Sequence, residues 1–266
     1  MYTDTMRIGI STGAFYGQQE TEEAAARLAS LAPSCAEVFL QSYSEYSAGF
    51  ARLVRERLGG VPAVSVHAIL HHFECGLYSF SARQREESFA WLTRFLDAAQ
   101  ALDVGVYVYH GPARHRGAGV PPVERWRPGV ERVLQMCQAR GISLAWETVS
   151  WCWLCSLESL RALRKAFPRL RFTLDTKQLF TLGLDPVDFV DAMGDSLCHV
   201  HILDHDEQGR YALPGAGVHD FAELARALEQ NGYRGDIILE PYGLTAQDDT
   251  KLRASLDWLR ETFRAQ

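Results

Sequence analysis

The sequence lacks the features of a membrane protein, a disulfide-rich protein and a nucleic-acid-binding protein. No uncharged apolar run approaches the roughly 18 residues of a membrane span. Six cysteines in 266 residues are too few for a disulfide scaffold. The chain has 27 Lys and Arg against 33 Asp and Glu, a formal net charge of −6, whereas nucleic-acid binders usually carry a basic surface. The first residues lead directly into a predicted strand, so we expect no signal peptide and a cytoplasmic protein.

Two motifs of common cofactor and redox proteins are also incomplete. At the end of the first predicted strand, Gly9-Ile10-Ser11-Thr12-Gly13 does not form a Gly-x-Gly-x-x-Gly motif, which disfavours nucleotide binding. Cys152 and Cys155 have Cys-x-x-Cys spacing, but no second pair and no nearby pair of histidines completes a zinc site. We expect reduced thiols that pack or line a pocket, and the role of this pair stays open.

Eight short β-rich segments alternate with longer amphipathic helical segments along the whole chain. The eight are largely apolar on both faces, which is typical of parallel strands covered by helices. Eight such alternations over about 250 residues predict a closed (β/α)8 barrel, or TIM barrel, forming a single domain over residues 1–266. A doubly wound open sheet is the alternative. The predicted strands are Arg7–Ser11, Ala36–Leu40, Val64–Ala68, Gly105–His110, Ser143–Thr148, Phe172–Thr176, Cys198–Leu203 and Asp236–Tyr242.

Several of the intervening segments have recognisable helix ends. Ser81, Asp185 and Asp220 stand directly before segments with helical periodicity and are predicted N-caps. Asn231-Gly232 is typical of a helix C-terminus. These ends support helices between the predicted strands, and no linker or domain boundary interrupts the pattern.

Polar side chains stand near the C-terminal ends of six successive predicted strands. Active sites of TIM barrels lie at that end of the barrel. Burying such groups there without partners is costly, so a core without function would not favour them. The residues are His67, His110, Glu147, Asp175, His201 and Glu240.

Three carboxylates and one imidazole, those of Glu147, Asp175, Glu240 and His201, converge if the predicted strands are neighbours. Clustered carboxylates repel one another, and some would stay protonated at neutral pH without a cation. One divalent metal ion would remove this conflict. Oxygen-rich ligation with one imidazole favours Mn²⁺, Co²⁺ or Mg²⁺, with Zn²⁺ as an alternative.

The chain resembles the xylose isomerase-like TIM barrel superfamily of sugar (phosphate) isomerases and epimerases, which also contains endonuclease IV. The resemblance follows the strand order over essentially the whole chain. It implies that Glu147, Asp175, His201 and Glu240 bind the metal ion and that Glu147 and Glu240 are the paired catalytic acid and base. The motifs are Trp146-Glu147-Thr148, Leu174-Asp175-Thr176, His199-Val200-His201-Ile202-Leu203-Asp204, Pro214-Gly215-Ala216-Gly217 and Leu239-Glu240-Pro241-Tyr242.

The expected chemistry is proton transfer beside a carbonyl group. A metal ion that binds a substrate carbonyl and its neighbouring hydroxyl acidifies the C–H between them and stabilises the enediolate. One carboxylate removes the proton and a second returns it. We therefore expect an isomerase or epimerase of a small sugar, ketose or inosose. The alternatives are a lyase of the inosose or dehydroshikimate dehydratase type and an endonuclease IV-like phosphodiesterase; a homo-oligomer is compatible with each.

Two departures from the superfamily pattern affect these alternatives. Many relatives carry a histidine three residues after the aspartate of strand six, where this chain has Gln178. The nuclease branch binds three zinc ions with an additional Asp-x-His before its glycine-rich turn, where this chain has Gly209 and Tyr211, and Ala216 replaces the acid within the turn. Too few ligands remain for a three-zinc site, so nuclease activity is disfavoured.

The remaining candidates are predicted to contact the substrate. Gln178 would bind a hydroxyl. Lys177 would bind a phosphate or carboxylate, with a solvated lysine in the first turn of a helix as the alternative. Trp146 would form an apolar wall, with packing between loops at the rim as the alternative. His199 is expected one layer below His201, as a residue that orients it. The full set of substrate-binding candidates is His67, His110, Gln178, Lys177, Asp204 and Trp146. The loop residues His71, Arg114 and Arg116 are expected to be solvated, with substrate contact as the alternative.

Overall fold

Eight parallel strands close into a barrel, which confirms the predicted fold. All eight predicted strands are present in the computed structural model, which describes residues 6–69, 72–114 and 119–264. The strands are β1 (Ile8–Ser11), β2 (Cys35–Leu40), β3 (Ala63–Ala68), β4 (Val106–Tyr109), β5 (Ser143–Glu147), β6 (Arg171–Asp175), β7 (Leu197–Ile202) and β10 (Asp236–Leu239). They follow that order around the barrel, and β10 pairs with β1 to close it. A small antiparallel pair, β8 (Asp204–His205) and β9 (Tyr211–Ala212), stands outside the barrel sheet.

Helices cover the outside of the barrel. The described α-helices are α1 (Thr21–Ser30), α2 (Ala48–Arg57), α3 (His72–Gly76), α4 (Ala82–Leu102), α5 (Val123–Gln138), α6 (Leu157–Ala166), α7 (Thr176–Thr181), α8 (Pro186–Met193), α9 (Phe221–Gln230) and α10 (Asp249–Thr262). The predicted N-caps are confirmed, because the side chains of Ser81, Asp185 and Asp220 accept backbone hydrogen bonds at the starts of α4, α8 and α9. Within the described ranges, no helix has both the length and the apolar character needed to cross a membrane.

Alternate residues of each strand face the barrel interior and the surrounding helices. In β7, Val200 and Ile202 belong to the apolar core, whereas His199 and His201 contact carboxylates of other barrel strands. The register pairs His201 with Asp175 of β6. This pairing brings functional side chains of neighbouring strands to one level at the C-terminal end of the barrel.

The last barrel strand is shorter than predicted. It ends at Leu239, three residues before the predicted end at Tyr242. Glu240 N still donates a hydrogen bond to Ile202 O, at 3.2 Å. Pro241 then has no backbone N–H to continue the ladder, which explains the end of the strand. Glu240 is therefore held at the barrel mouth by a backbone bond although it lies outside β10.

Candidate active site

Four potential metal ligands come from four adjacent strands of the barrel. Glu147 and Asp175 are the last residues of β5 and β6, His201 is in β7, and Glu240 follows β10. One nitrogen or oxygen from each residue lies within 4.8 Å of those of the other three, and all four residues are buried. His201 Nδ1 is 2.8 Å from Glu147 Oε1 and 3.5 Å from Glu240 Oε2. The residues predicted to converge do so.

Three carboxylate oxygens of this group fit a divalent metal ion. Glu147 Oε2, Asp175 Oδ2 and Glu240 Oε1 are buried and accept no well-aligned hydrogen bond from the described residues. Unsatisfied buried carboxylate oxygens are costly, and a cation that binds several of them removes the cost. Three carboxylates and an imidazole also match the ligand preference of divalent metal ions such as Mn²⁺.

His201 and Glu147 are charged partners of each other. Burial alone would lower the pKa of His201, but the surrounding carboxylates, Glu37 foremost, raise that pKa well above its usual value. Burial would raise the pKa of Glu147, but the charge of His201 and the close contacts with His110, His201 and His67 lower it overall. Without a metal ion, the imidazolium of His201 is therefore one of the cations that balance the acidic cluster.

Glu37 completes the surroundings of His201, and the sequence analysis missed it. Its Oε2 lies 3.0 Å from His201 Nε2 and 3.3 Å from His199 Nε2, and it accepts a hydrogen bond of 2.8 Å from Ser65 Oγ. Burial would raise the pKa of Glu37, but the two histidines hold that pKa well below its usual value. The position expected for His199, one layer below His201, is found, with Glu37 linking the two rings. A single glutamate inside the apolar segment of β2 was the available signal.

His67 and His110 approach Glu147 from β3 and from the residue after β4. Their Nε2 atoms lie 3.4 and 3.2 Å from Glu147 Oε2. Ala68 N donates to His67 Nδ1 at 2.9 Å, so the ring proton of neutral His67 is on Nε2 and points to Glu147. These three residues form a second group with metal-ligand spacing.

Lys177 contacts two residues of the acidic cluster, which the sequence analysis did not predict. Its ammonium is 3.0 Å from Glu240 Oε2 and 3.3 Å from Asp175 Oδ2. It also stands 4.1 Å above the ring of Tyr242. The helix α7 begins directly where β6 ends, which brings Lys177 back over the carboxylate of Asp175.

These contacts are accompanied by different pKa values for Asp175 and Glu240. Burial would lower the pKa of Lys177, but Asp175 and Glu240 raise it well above its usual value. Burial also raises the pKa of Asp175 to about 7, although Lys177 opposes the shift. Burial would raise the pKa of Glu240, but Lys177 and His201 lower it to about 2. Glu240 is thus the carboxylate that Lys177 keeps ionised.

Gln178 and Asp204 are both engaged with nearby loops. Gln178 Oε1 accepts hydrogen bonds from Ser150 N (3.1 Å) and Ser150 Oγ (2.7 Å). Asp204 Oδ1 accepts from the backbone N–H of His205 at 2.7 Å and of His219 at 3.3 Å. Both side chains thereby fix loops at the barrel mouth, and their predicted contacts with substrate stay predictions.

Trp146 does not lie where the predicted sugar contact would need it. Its side chain is fully buried, with its ring centroid 6.1 Å from that of Trp126 in α5. Its Nε1 donates to His110 O at 2.9 Å. Successive strand residues point to opposite faces, so Trp146 faces the helices while Glu147 faces the site. The prediction of an aromatic wall from Trp146 is wrong, and the residue supports the backbone of His110 instead.

A short helix near the site, α3, contains one further buried residue that the sequence analysis missed. Glu74 of α3 is fully buried and accepts a hydrogen bond of 2.6 Å from Tyr107 Oη. Burial raises the pKa of Glu74 to about 8.

Of the loop residues considered in the sequence analysis, Arg114 donates its backbone N–H to Trp151 O at 3.0 Å. His71 and Arg116 lie outside the described residues.

Comparison with known proteins agrees with this architecture. Residues 20–262 match the model of a family described as xylose isomerase-like TIM barrel. Fructoselysine 3-epimerase of Escherichia coli O157:H7 is 27% identical over 165 residues, which cover 59% of each protein. The chain thus matches about three-fifths of the length of this curated relative.

Solved structures of sugar epimerases share the fold over nearly the whole chain. A D-psicose 3-epimerase with D-tagatose from Clostridium cellulolyticum H10 is 19% identical with a TM-score of 0.78, and 98% of this chain aligns with 100% of that one. An L-ribulose 3-epimerase is 16% identical with a TM-score of 0.78, and 97% of this chain aligns with 95% of that one. At these identities the likeness establishes the fold alone.

Proposed function

The chain belongs to the xylose isomerase-like TIM barrel family, and we propose that it is a divalent-metal-dependent epimerase of a small ketose or ketose derivative. The observation that carries the proposal is the arrangement of Glu147 and Glu240 on the outer two of four adjacent strands, with Asp175 and His201 between them. Similarity to fructoselysine, D-psicose and L-ribulose 3-epimerases supports a reaction at the carbon beside a ketone.

Glu147, Asp175, His201 and Glu240 would hold the metal ion, with Mn²⁺, Co²⁺ or Mg²⁺ favoured. When bound, such an ion polarises the substrate carbonyl and makes the neighbouring C–H more acidic. The chain supplies the proton acceptor and the proton donor. One of the two outer carboxylates removes the proton from one face of that carbon, and the other, as a carboxylic acid, returns a proton to the opposite face. One proton leaves and one arrives, so only the configuration of the carbon changes.

The two glutamates have different neighbours in the site. In the metal-free protein, Lys177 and His201 hold the pKa of Glu240 at about 2, and the nearby histidines lower the pKa of Glu147 as well, so both glutamates are ionised there. Glu147 Oε2 faces His67 Nε2 and His110 Nε2 at 3.4 and 3.2 Å, whereas Glu240 Oε2 faces the Lys177 ammonium at 3.0 Å. His67, His110, Gln178 and Asp204 stay candidates for binding the sugar hydroxyls.

Exchange of a carbon-bound proton with solvent tests the proposal directly. The protein would be incubated in D₂O with Mn²⁺ and, in turn, D-fructose, D-psicose and L-ribulose, and followed by NMR. We expect deuterium to enter at C3 and the C3 epimer to form. Glu147→Gln and Glu240→Gln should each lower the rate by at least about a hundredfold. Glu229→Gln, an exposed change on α9, is the matched control and should keep the wild-type rate.

The same samples distinguish the alternative activities. Deuterium exchange followed by loss of water would identify a lyase. Elemental mass spectrometry of protein purified without added metal or chelator should find about one divalent ion per chain. Two or three zinc ions, with cleavage of an abasic-site oligonucleotide, would replace the epimerase proposal by a phosphodiesterase. Near-normal epimerisation by either glutamine variant would refute the two-carboxylate mechanism.

A further inference from the structure

The ammonium group of Lys177 stands against two of the carboxylates that would bind the metal ion. It is 3.0 Å from Glu240 Oε2 and 3.3 Å from Asp175 Oδ2. Its side chain is 5% exposed, so water contributes little to its charge balance. The ring of Tyr242, 4.1 Å away, faces the same ammonium and favours a cation there.

A divalent ion and this ammonium therefore need the same oxygens. Asp175 Oδ2 lies within reach of Lys177 and is also one of the buried oxygens with no well-aligned hydrogen bond among the described residues. Two cations side by side in a buried site repel each other strongly. The backbone of Lys177 is fixed in α7, where Thr181 Oγ1 donates to Lys177 O at 2.8 Å. The four-carbon side chain of a lysine is flexible and can change rotamer. Binding of the ion would thus move the ammonium rather than the helix.

We propose that Lys177 is a built-in competitor of the metal ion: its ammonium neutralises Asp175 and Glu240 in the metal-free protein and gives up both carboxylates when the ion binds. The inference rests on the proposed metal site and adds to it a residue that sets the affinity for the ion. It also makes the predicted substrate contact of Lys177 depend on metal binding. The ammonium becomes free to meet a substrate anion only after the ion has displaced it.

Lys177→Met tests this because it removes the charge and keeps the length of the side chain. Metal-free wild-type and variant proteins would be titrated with Mn²⁺ by calorimetry, and their melting temperatures measured with and without Mn²⁺. We expect the variant to bind Mn²⁺ at least about tenfold more tightly, because a repelling charge is gone. We also expect its metal-free form to melt at a lower temperature and Mn²⁺ to raise that temperature more than in the wild type.

Two further variants separate competition from a general effect of substitution. Lys177→Arg keeps the positive charge and should not gain affinity for Mn²⁺. Lys165→Met makes the same chemical change at an exposed position of α6 and should match the wild type. If Lys177→Met folds only with metal present, the dependence itself supports the proposal, and Lys177→Gln provides the titration.

The outcomes distinguish this inference from the proposed function. Unchanged or weaker Mn²⁺ binding by Lys177→Met, with a wild type that binds Mn²⁺ and epimerises a ketose, overturns the role of Lys177 alone. Equal gains in Lys177→Arg and Lys177→Met also overturn it, because the charge would then be irrelevant. If neither the wild type nor any variant binds Mn²⁺, both the metal site and the competition fail.

Discussion

At the scale of single residues, His201 is the centre of the site because carboxylates contact both of its ring nitrogens. Nδ1 faces Glu147 at 2.8 Å, and Nε2 faces Glu37 at 3.0 Å. A histidine that ligates a metal ion through one nitrogen usually donates its other N–H to a carboxylate or carbonyl, which fixes the ring and its tautomer. Glu37 is placed to accept that N–H, which would leave the lone pair of Nδ1 available to a bound metal ion.

Glu37→Gln should weaken metal binding without removing a ligand. The amide keeps the size of the side chain but loses the charge that holds the Nε2 proton of His201. We expect a loss of about 10- to 100-fold in Mn²⁺ affinity, measured by calorimetry. His201→Ala, which deletes the ligand, should lose more. Ser65→Ala removes only a hydroxyl that donates to Glu37, and it is the milder control. Equal Mn²⁺ affinity of Glu37→Gln and wild type would show that Glu37 does not position the ring.

Functional residues at the ends of strands can be located from the sequence, whereas Glu37, inside a strand, could not. Glu147 and Asp175 follow apolar segments, so a reader of the sequence can place them at the barrel mouth. Glu37 lies two residues after the start of β2, below that level, and its partners come from strands elsewhere around the barrel. Such a contact depends on the closed barrel and not on local spacing. The contact of Lys177 with Asp175 and Glu240 was not predicted for a similar reason, since the immediate start of α7 after β6 decides the direction of the side chain.

At the scale of secondary-structure elements, α3 is tied to the barrel by a buried acid. Glu74 of α3 accepts a hydrogen bond from Tyr107 of β4. Burial raises the pKa of Glu74 from 4.5 to about 8, so the folded protein keeps this proton over a range in which the unfolded chain releases it. The contribution of Glu74 to stability is therefore complete below about pH 4.5 and is lost as the pH rises through about 8.

Glu74→Gln should remove this pH dependence, because the amide has no proton to release and still offers an oxygen to Tyr107. The free energy of unfolding of the variant, relative to wild type, should rise by on the order of 3 kcal/mol between about pH 5 and 8. Urea unfolding at several pH values, with metal removed from both proteins, measures the difference. Glu131→Gln makes the same chemical change on the outside of α5, away from Tyr107, and is the control. A flat profile for Glu74→Gln would mean that Glu74 is ionised in the folded protein.

Element types were predictable to a greater extent than the ends and faces of elements. The strands of the barrel have a strong signal because both faces are apolar, and the N-caps are local. The end of β10 depends on a missing N–H at Pro241, a feature visible in the sequence but outweighed there by the apolar run. Trp146 shows the limit for faces: in a strand buried on both sides, apolarity does not tell which residue faces the interior. The charged neighbour Glu147 fixes it.

At the scale of the whole molecule, the four proposed ligands link one half of the barrel. They lie in or directly after β5, β6, β7 and β10, which are consecutive around the sheet but span residues 143–240 of the chain. An ion bound to all four would therefore join elements that are distant in sequence. Because the unfolded chain does not hold these groups together, the ion should bind the folded state selectively and stabilise it.

Removal of metal should therefore lower the melting temperature of the entire protein. With free Mn²⁺ at about 100 times its dissociation constant, the folded state gains about 2.7 kcal/mol. For a chain of this size, that corresponds to roughly 5–10 °C. The measurement is thermal unfolding followed by circular dichroism, in chelator and then after Mn²⁺ is added back. His201→Ala should show a much smaller shift than the wild type, whereas His219→Ala, at a loop outside the ligand group, should show the full shift. A wild-type melting temperature that does not respond to Mn²⁺ would mean that the four side chains do not act together as a metal site, and the acidic cluster would then be balanced by Lys177 and His201 alone.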